Sequence, residues 1–478
     1  MSEIMQLVAS KQEDKVDIDL YVTDDNLAAF IAFERIDSGA ITDLGILHTL
    51  LEENGIVYGV NLKQLKGLVK LLNGGQIQAD GERFVVAEGK SPFHGKDGFL
   101  DFHVSPSIKN PKFDVEENEV IDYRNTSLIS NVMLEQHLVT LMEAQEPQEG
   151  IDIFGVTVSV SEPQPLKYIL GQGVFEDGNK IHASVNGMFV YEDNHLSVSP
   201  LYEVLGNVDF TVGNINFVGK VTVSKDVLDD FSISGSEGVE VQGVVGAANI
   251  ESNADVLLVG GINGQNKSFV KAQGNIEAKY LNEIDATTWG DEKVNKSMIN
   301  SQVKSKGVID MPDGSIIGGE VYALKGIEVG TLGSDLGILT DVNIGIDYEY
   351  EERKKAYEVQ LKNIEIEIER IDRNVQPYIV NQQSMKNVSP NKKRLIISML
   401  QKSKTLKEEK KMIFSNLDNI GKKLFSENSA ELVVKKMLYS GVKVRVGRFK
   451  RTIKMEIKGP IILKEDPENN SVMIAESI

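Results

Sequence analysis

Cysteine is absent from the 478 residues, which removes disulfides, thiolate metal centres and cysteine nucleophiles from consideration. Tryptophan occurs once, at Trp289, and aromatic residues make up only 6% of the chain; a core with so few rings has to be filled by Val, Ile, Leu and Ala. No apolar run approaches the ~20 residues that span a bilayer, and Met1 to Lys15 lacks the basic-then-apolar order of a secretion signal. The expectation is a cytoplasmic chain with no transmembrane segment. Between Gly206 and Gly345 there is neither Arg nor His. All six histidines, His48, His94, His103, His137, His182 and His195, precede that stretch, and no two stand at a metal-ligand spacing such as i, i+4. No metal, cofactor or catalytic residue is expected.

What the chain has in excess is negative charge, formally -20, which opposes unspecific attraction to nucleic acid or anionic lipid for the molecule as a whole. A local reversal covers Lys435, Lys436, Lys443, Arg445, Arg448, Lys450, Arg451 and Lys454. Its ordinary reading is a solvated strand face offsetting acidic neighbours. The sharper reading is a docking surface for an acidic partner centred on Arg448, Lys450 and Arg451.

The other excess is glycine, 42 residues, about half of them between Gly206 and Gly345. There one phrase repeats: a Gly or Gly-Asn corner, two or three alternating β-branched residues, another corner. Gly206-Asn207, Gly213-Asn214 and Gly274-Asn275 lead into Val208/Phe210, Ile215/Phe217 and Ile276/Ala278, with Ala248-Asn249 before Ile250 as a variant. Gly and Asn tolerate the left-handed backbone of tight turns, whereas Val and Ile prefer a pleated, half-buried strand. The corners are too short for crossover helices. A parallel β-helix fits, with roughly 18 residues per rung, about eight rungs and a rod on the order of 35 to 40 Å long at about 4.8 Å per rung. Uneven turn lengths and no strict hexapeptide favour a right-handed coil.

The first hundred residues predict a compact α+β unit. Thr42-Asp43 caps a helix with Leu44, Leu47, Leu50 and Leu51 on one stripe, stopped by Asn54-Gly55; Asn61 caps a second with Leu62, Leu65, Leu68, Val69 and Leu72. Strands at Gln76 to Ala79 and Arg83 to Glu88 then form a hairpin around Asp80-Gly81. Residues 106–200 read as a strand-and-turn linker domain, with Ile181 to Val198 as a β-meander, shielding the first rung. At Tyr348 the grammar changes. Tyr350, Tyr357, Leu361, Ile364, Ile368, Ile371 and Val375 make an a/d seam, interrupted at Pro377 and Asn387-Val388-Ser389-Pro390 and resumed by Leu406, Ile413, Leu417, Ile420 and Leu424. Strands return after Glu427. The expected fold is therefore mainly β, a parallel β-helix at 201–347, with an N-terminal α+β domain at 1–105, the linker at 106–200, an inserted antiparallel coiled-coil hairpin at 348–428, and C-terminal strands at 429–478 packing on the rod's far end.

Chemistry is sparse. Asp226, Asp229, Asp230, Asp255, Asp285, Asp310 and Asp313 could hide a paired-carboxylate hydrolase, yet each lies near a turn, where Asp bonds to backbone. Gly260 to Lys267 invites comparison with a phosphate-binding loop but lacks its final Gly-Lys-Ser/Thr. At the hairpin tip, Lys392, Lys393 and Arg394 are consecutive cations, read either as a solvated loop or as a docking site.

In this order the landmarks resemble the flagellar assembly protein A (FapA-like) family over nearly the full length. They are Asn54 to Val60, Ala87 to Pro92 followed by Gly95 to Gly98, Asp122-Tyr123-Arg124, Gly150 to Gly155 and Gly171 to Val174. The rod adds Gly213 to Phe217, Gly260 to Gly264 and Gly318-Gly319. Tyr439 to Val442 follows the helices, with Ser440 where the family pattern often has proline. The resemblance implies a cytoplasmic scaffold, placed at the cell pole, that supports flagellar assembly or placement through protein contacts without catalysis. Implied partners are the flagellar placement machinery and a regulatory component of the sugar phosphotransferase system linking motility to nutrient state; a homo-oligomer is also open. The rival readings are a β-helix enzyme acting on polysaccharide or peptidoglycan, and a self-polymerising cytoskeletal element.

Overall fold

The computed structural model describes residues 5–107, 129–380, 389–425 and 430–476. Asp122-Tyr123-Arg124 and the middle of the hairpin tip fall outside these.

Strands β1 (Met5–Glu13), β2 (Val16–Thr23), β3 (Ala28–Ile36) and β4 (Arg83–Glu88) form an antiparallel sheet in sequence order. Helices α1 (Leu44–Glu53) and α2 (Leu62–Asn73) share its core, which joins Val16, Ile18, Leu20 and Val22 to Leu47, Leu51, Leu65 and Leu68. Both predicted caps are present: Asp43 accepts from the Ile46 amide and Asn61 from that of Gln64. Gln76 to Ala79, however, is not a strand. The Gln76 amide bonds back to the Leu71 carbonyl, so these residues terminate α2, and β4 pairs with β3 instead. Ile153 lies in this same core.

The next body holds two four-stranded sheets, whose core includes Val132, Leu138, Phe189, Leu196 and Val198. The expected meander is split. Lys180–Ala183 pairs with His137–Met142 in one sheet, while Gly187–Glu192 and His195–Ser199 form a hairpin in the other. Gly187 is where the chain changes sheet; a Cβ there would lie 2.2 Å from the Ser199 carbonyl.

From residue 201 the chain coils as a three-faced parallel solenoid, with coils beginning at 201, 220, 239, 256, 276, 292, 308 and 326. Each coil contributes one inward residue per stack. On the first face these are Val221, Val239, Val256, Ile276, Glu292, Ile309, Ile327 and Leu432. On the second, Val208, Val227, Val245, Ile262, Leu281, Met298, Ile316, Leu332 and Leu438 align. On the third, Ile215, Ile233, Ile250, Val270, Ala286, Val303, Val321, Val342 and Val444 do so. A column of branched aliphatics needs no large rings, which explains the low aromatic content.

The corners work differently from the turn logic of the sequence. Asn207, Asn214 and Asn275 do not have the left-handed backbone. Their side chains instead accept from the amide of the next coil: Asn207 from Asp226, Asn214 from Ser232, Asn275 from Asp291. Gly274 is required by close approach, since a Cβ would sit 2.2 Å from Asp255 Oδ1.

After Ile344 the two- or three-residue corner of earlier coils is replaced by α3 (Tyr348–Val380) and α4 (Pro390–Lys423). Ile364, Ile371 and Val375 are buried on α3, and Ile396, Ser403, Ile413 and Ile420 on α4. Cross-helix ion pairs Lys402–Glu367, Lys407–Asp372 and Lys410–Glu365, at 2.7 to 3.1 Å, fix the antiparallel register. Pro377 does not interrupt α3, which runs one turn past it.

The C-terminal strands do more than pack on the rod. Glu431–Leu438 and Val442–Val446 form a ninth parallel coil, and only then do Phe449–Thr452, Ile457–Lys458 and Ile461–Asp466 add in antiparallel sense and close that end. At the other end Asn131 closes the third face. Its amide donates to the Asn216 carbonyl (2.8 Å) and accepts from the Val218 amide (3.2 Å), reproducing a strand partner with one side chain.

Candidate functional site

The two predicted basic groups lie at opposite ends of the hairpin. Lys392, Lys393 and Arg394 occupy the first turn of α4, where Lys392 and Arg394 are exposed and the Lys392 ammonium stands 5.1 Å from the Tyr378 ring centre. Arg448 sits at the base, its guanidinium 5.4 Å from the Phe425 ring centre. A 33-residue helix separates base from tip by about 50 Å at ~1.5 Å per residue, so one small partner site cannot engage both.

The base group is itself divided. In the antiparallel register Arg445 faces Lys450 and Val444 faces Arg451, and paired residues share a face of a sheet. Lys450 therefore lies on the outer surface beside Arg445. Arg451 takes the opposite side and donates Nη1 to the Val472 carbonyl at 2.7 Å. Arg448 lines a groove of about 510 Å³ with Phe425, Phe449, Lys464 and Glu465, and its own amide donates to Glu465 Oε1.

What the sequence reading did not find is the clamp at the hairpin root. Arg445 Nη1 reaches Glu351 Oε1 at 2.7 Å, with both side chains about one-tenth exposed. Lys306 pairs with Glu349 at 2.8 Å, and Lys304 with Glu352. Tyr348, 5% exposed, packs between Lys304 and Lys306; burial, then Glu349, Asp347 and Glu352, push its hydroxyl pKa up. These partners lie 40 to 100 positions apart and carry no signal along the chain.

A row of imidazoles was also invisible. His103, just past the strand Phe99–Phe102, stands beside His137 and His182 on the two paired strands next to it, with ring centres 4.2 and 5.2 Å apart, and Phe175 stacks on His182. His137 is held below the usual histidine pKa by burial and by His103, with smaller contributions from His182 and Lys180. Even so, among the described residues no group of three or more His, Asp or Glu is placed to hold a metal ion.

Four of the rod's seven candidate aspartates are committed to structure. Asp226, Asp229 and Asp255 each accept, at 2.7 Å, from the amide of a neighbouring corner, those of Val244, Ala247 and Asn275. Asp313 pairs with Lys436 at 3.0 Å. In the Gly260 to Lys267 segment the amides of Gly261, Asn263, Gly264, Asn266 and Lys267 all donate to backbone carbonyls. The donors that would cradle a phosphate are already used, and the segment is a coil corner.

The arrangement is that of a capped, three-faced β-solenoid carrying a clamped helical hairpin on one flank, with an α+β body and an all-β body ahead of its first coil. The chain belongs to the flagellar assembly protein A family: residues 200–471 match the Flagellar Assembly Protein A beta solenoid domain and residues 18–194 match the Flagellar Assembly Protein A N-terminal region. No curated protein and no solved structure matches it. Among the described residues no helix is long and apolar enough to cross a membrane.

Proposed function

We propose that this member of the flagellar assembly family is a non-enzymatic scaffold. It works in the cytoplasm at the cell pole and supports flagellar assembly or placement through contacts with the placement machinery. The observation that carries the reading is the clamp of Arg445 on Glu351, which fixes the hairpin to the ninth coil so that rod and hairpin act as one spacer. A scaffold needs surfaces held at set distances; a hydrolase needs carboxylates free to react, and the corner aspartates hold backbone amides instead. Both coil ends are covered, which favours a finite homo-oligomer or monomer over end-to-end polymerisation.

The hairpin tip, Lys392, Lys393 and Arg394, is the primary docking site for an acidic protein surface, and Arg448 with Lys450 the secondary one. A regulatory component of the sugar phosphotransferase system is the partner that would tie the scaffold to nutrient state. The test is a pull-down from motile cells with the intact chain and with Lys392→Glu, Lys393→Glu and Arg394→Glu combined. The expected result is a defined flagellar or phosphotransferase protein captured by the first and lost by the second. Equal capture by both, or normal flagellar number and position in a deletion strain, ends the reading.

A further inference from the structure

Bodies joined by an ordinary linker move relative to one another by default. The body ahead of the first coil does not have that freedom. Along Gly187–Glu192 the side chains alternate between two cores, Phe189 entering its own and Met188 and Val190 joining the rod's aliphatic column. The attachment of the N-terminal body is unusual too. The chain crosses between its core and the second core three times, from Ala87 to Leu100, from Leu141 to Ile153, and from Phe154 to Leu166.

The first two passes run antiparallel and exchange reciprocal backbone bonds at Lys90–Ile151, Phe93–Gln148 and Lys96–Gln145, six bonds of 2.8 to 3.4 Å. A pleated antiparallel pair has such rungs at every second residue; here they fall at every third. Small or ring residues follow the same interval, Gly89, Pro92, Gly95 and Gly98 in the first pass and Ala144, Pro147 and Gly150 in the second. Close approach requires them. A Cβ on Gly95, whose φ is +66°, would lie 2.4 Å from the Gln145 carbonyl oxygen, and one on Gly150 would lie 2.6 Å from that of Lys90. The third pass is tied to both others. Thr157–Val158 pairs with Gly150–Ile151, and the Gly98 amide donates to the Gln164 carbonyl at 3.0 Å. Between the second and third passes the chain is anchored in the N-terminal core. Ile153 is fully buried there, its amide donating to the Asn26 carbonyl and its carbonyl accepting from Val57 and Tyr58.

We infer that these three passes form a rigid strut, so that the N-terminal body is a fixed arm of the rod and not a tethered domain. Any surface the arm presents then keeps one distance and one angle to the hairpin. Rigidity comes from backbone bonds between passes, since Lys90, Phe93, Lys96, Gln145 and Gln148 are all exposed and bury little of their own. The inference goes beyond the scaffold reading and uses none of its docking residues, so a failed pull-down would leave it standing.

The test measures distance between spin labels on the full chain, placed at Glu53→Cys in the N-terminal body and Asp177→Cys in the second; the absence of native cysteine makes the labelling specific. One narrow distance distribution is expected. Combined Gly95→Ala and Gly150→Ala should broaden it about twofold or more with far-UV circular dichroism unchanged, whereas Gly67→Ala, which meets nothing within 4 Å, should leave it narrow. A broad distribution in the parent, or one that stays narrow in the folded double variant, overturns the inference. Should the double variant lose its circular dichroism, the parent's own amides decide. Those of Lys90, Phe93, Lys96, Gln145, Gln148 and Ile151 should exchange at least about a hundredfold slower than their intrinsic rates, and exchange at the intrinsic rates overturns the strut.

Discussion

Arg445 and Glu351 meet at 2.7 Å across the root of the hairpin, the arginine on the ninth coil and the glutamate in the first turn of α3. Arg445 Nε also donates to the Gly447 carbonyl, so the guanidinium is fixed by its own strand before it holds the helix. Removing one partner leaves the other charge buried and unpaired. Glu351→Ala is expected to cost about 3–5 kcal/mol in thermal denaturation and to speed hydrogen exchange in the first turns of α3. Arg445→Met with Glu351→Leu should lose much less stability than either single change. Equal losses would mean that the pair does not act as a unit.

Glu292 occupies a position in the first-face stack taken elsewhere by Val, Ile or Leu, directly between Ile276 and Ile309. It is fully buried, and neither carboxyl oxygen has a hydrogen-bond partner. Burial pushes its pKa up to about 8. The folded chain therefore keeps this proton where the unfolded chain has lost it. Stability is full below about pH 4.5 and falls as pH rises towards 8, by an amount on the order of 3–5 kcal/mol. Glu292→Met should raise the melting temperature at pH 8 and flatten the profile between pH 5 and 8. An unchanged profile would place the titrating group elsewhere.

Asn131 stands in for a strand at the first coil. Asn131→Ala frees the Asn216 carbonyl and the Val218 amide, at a cost of about 1 kcal/mol. Faster exchange at the Val218 amide and greater self-association with concentration are expected, because an uncovered parallel edge recruits another chain. Light scattering that matches the parent at all concentrations would count against the capping role.

The imidazole row gives the preceding body the opposite pH response. The pKa of His137 lies below its unfolded value, so its contribution is present above about pH 6.5 and is lost as pH falls. Asp101, Glu176, Asp177 and Lys180 are the charged residues on the neighbouring strands of this sheet. Protection of the His137–Met142 amides, taken relative to intrinsic exchange at each pH, should fall between pH 7.5 and 5.5, and His137→Phe should reduce that fall.

The coil architecture was legible because each stack repeats branched aliphatics at a spacing of 16 to 20 residues, a period that local alternation and glycine corners both report. The a/d seam was legible for the same reason, although Ile396 and Ser403 extend it beyond the residues first assigned. The asparagine corners were found for a partly mistaken reason: they mark a ladder of side-chain acceptors between coils, which no single turn displays. Gln76 to Ala79 was misassigned because a helix-terminating bond to Leu71 outweighed its strand-like alternation. The docking cations could be named one by one, but not that Lys450 and Arg451 face opposite ways, which is a matter of register.

The amino-acid order alone determined that this chain coils, where it turns and where two helices interrupt it, because those features depend on neighbours within about twenty positions. Tertiary structure alone decided that the coil resumes for a ninth turn, that Glu292 points into an apolar stack, and that Arg445 clamps Glu351 across 94 positions. Each of these is set by stacking between coils, and stacking joins residues that the sequence keeps apart.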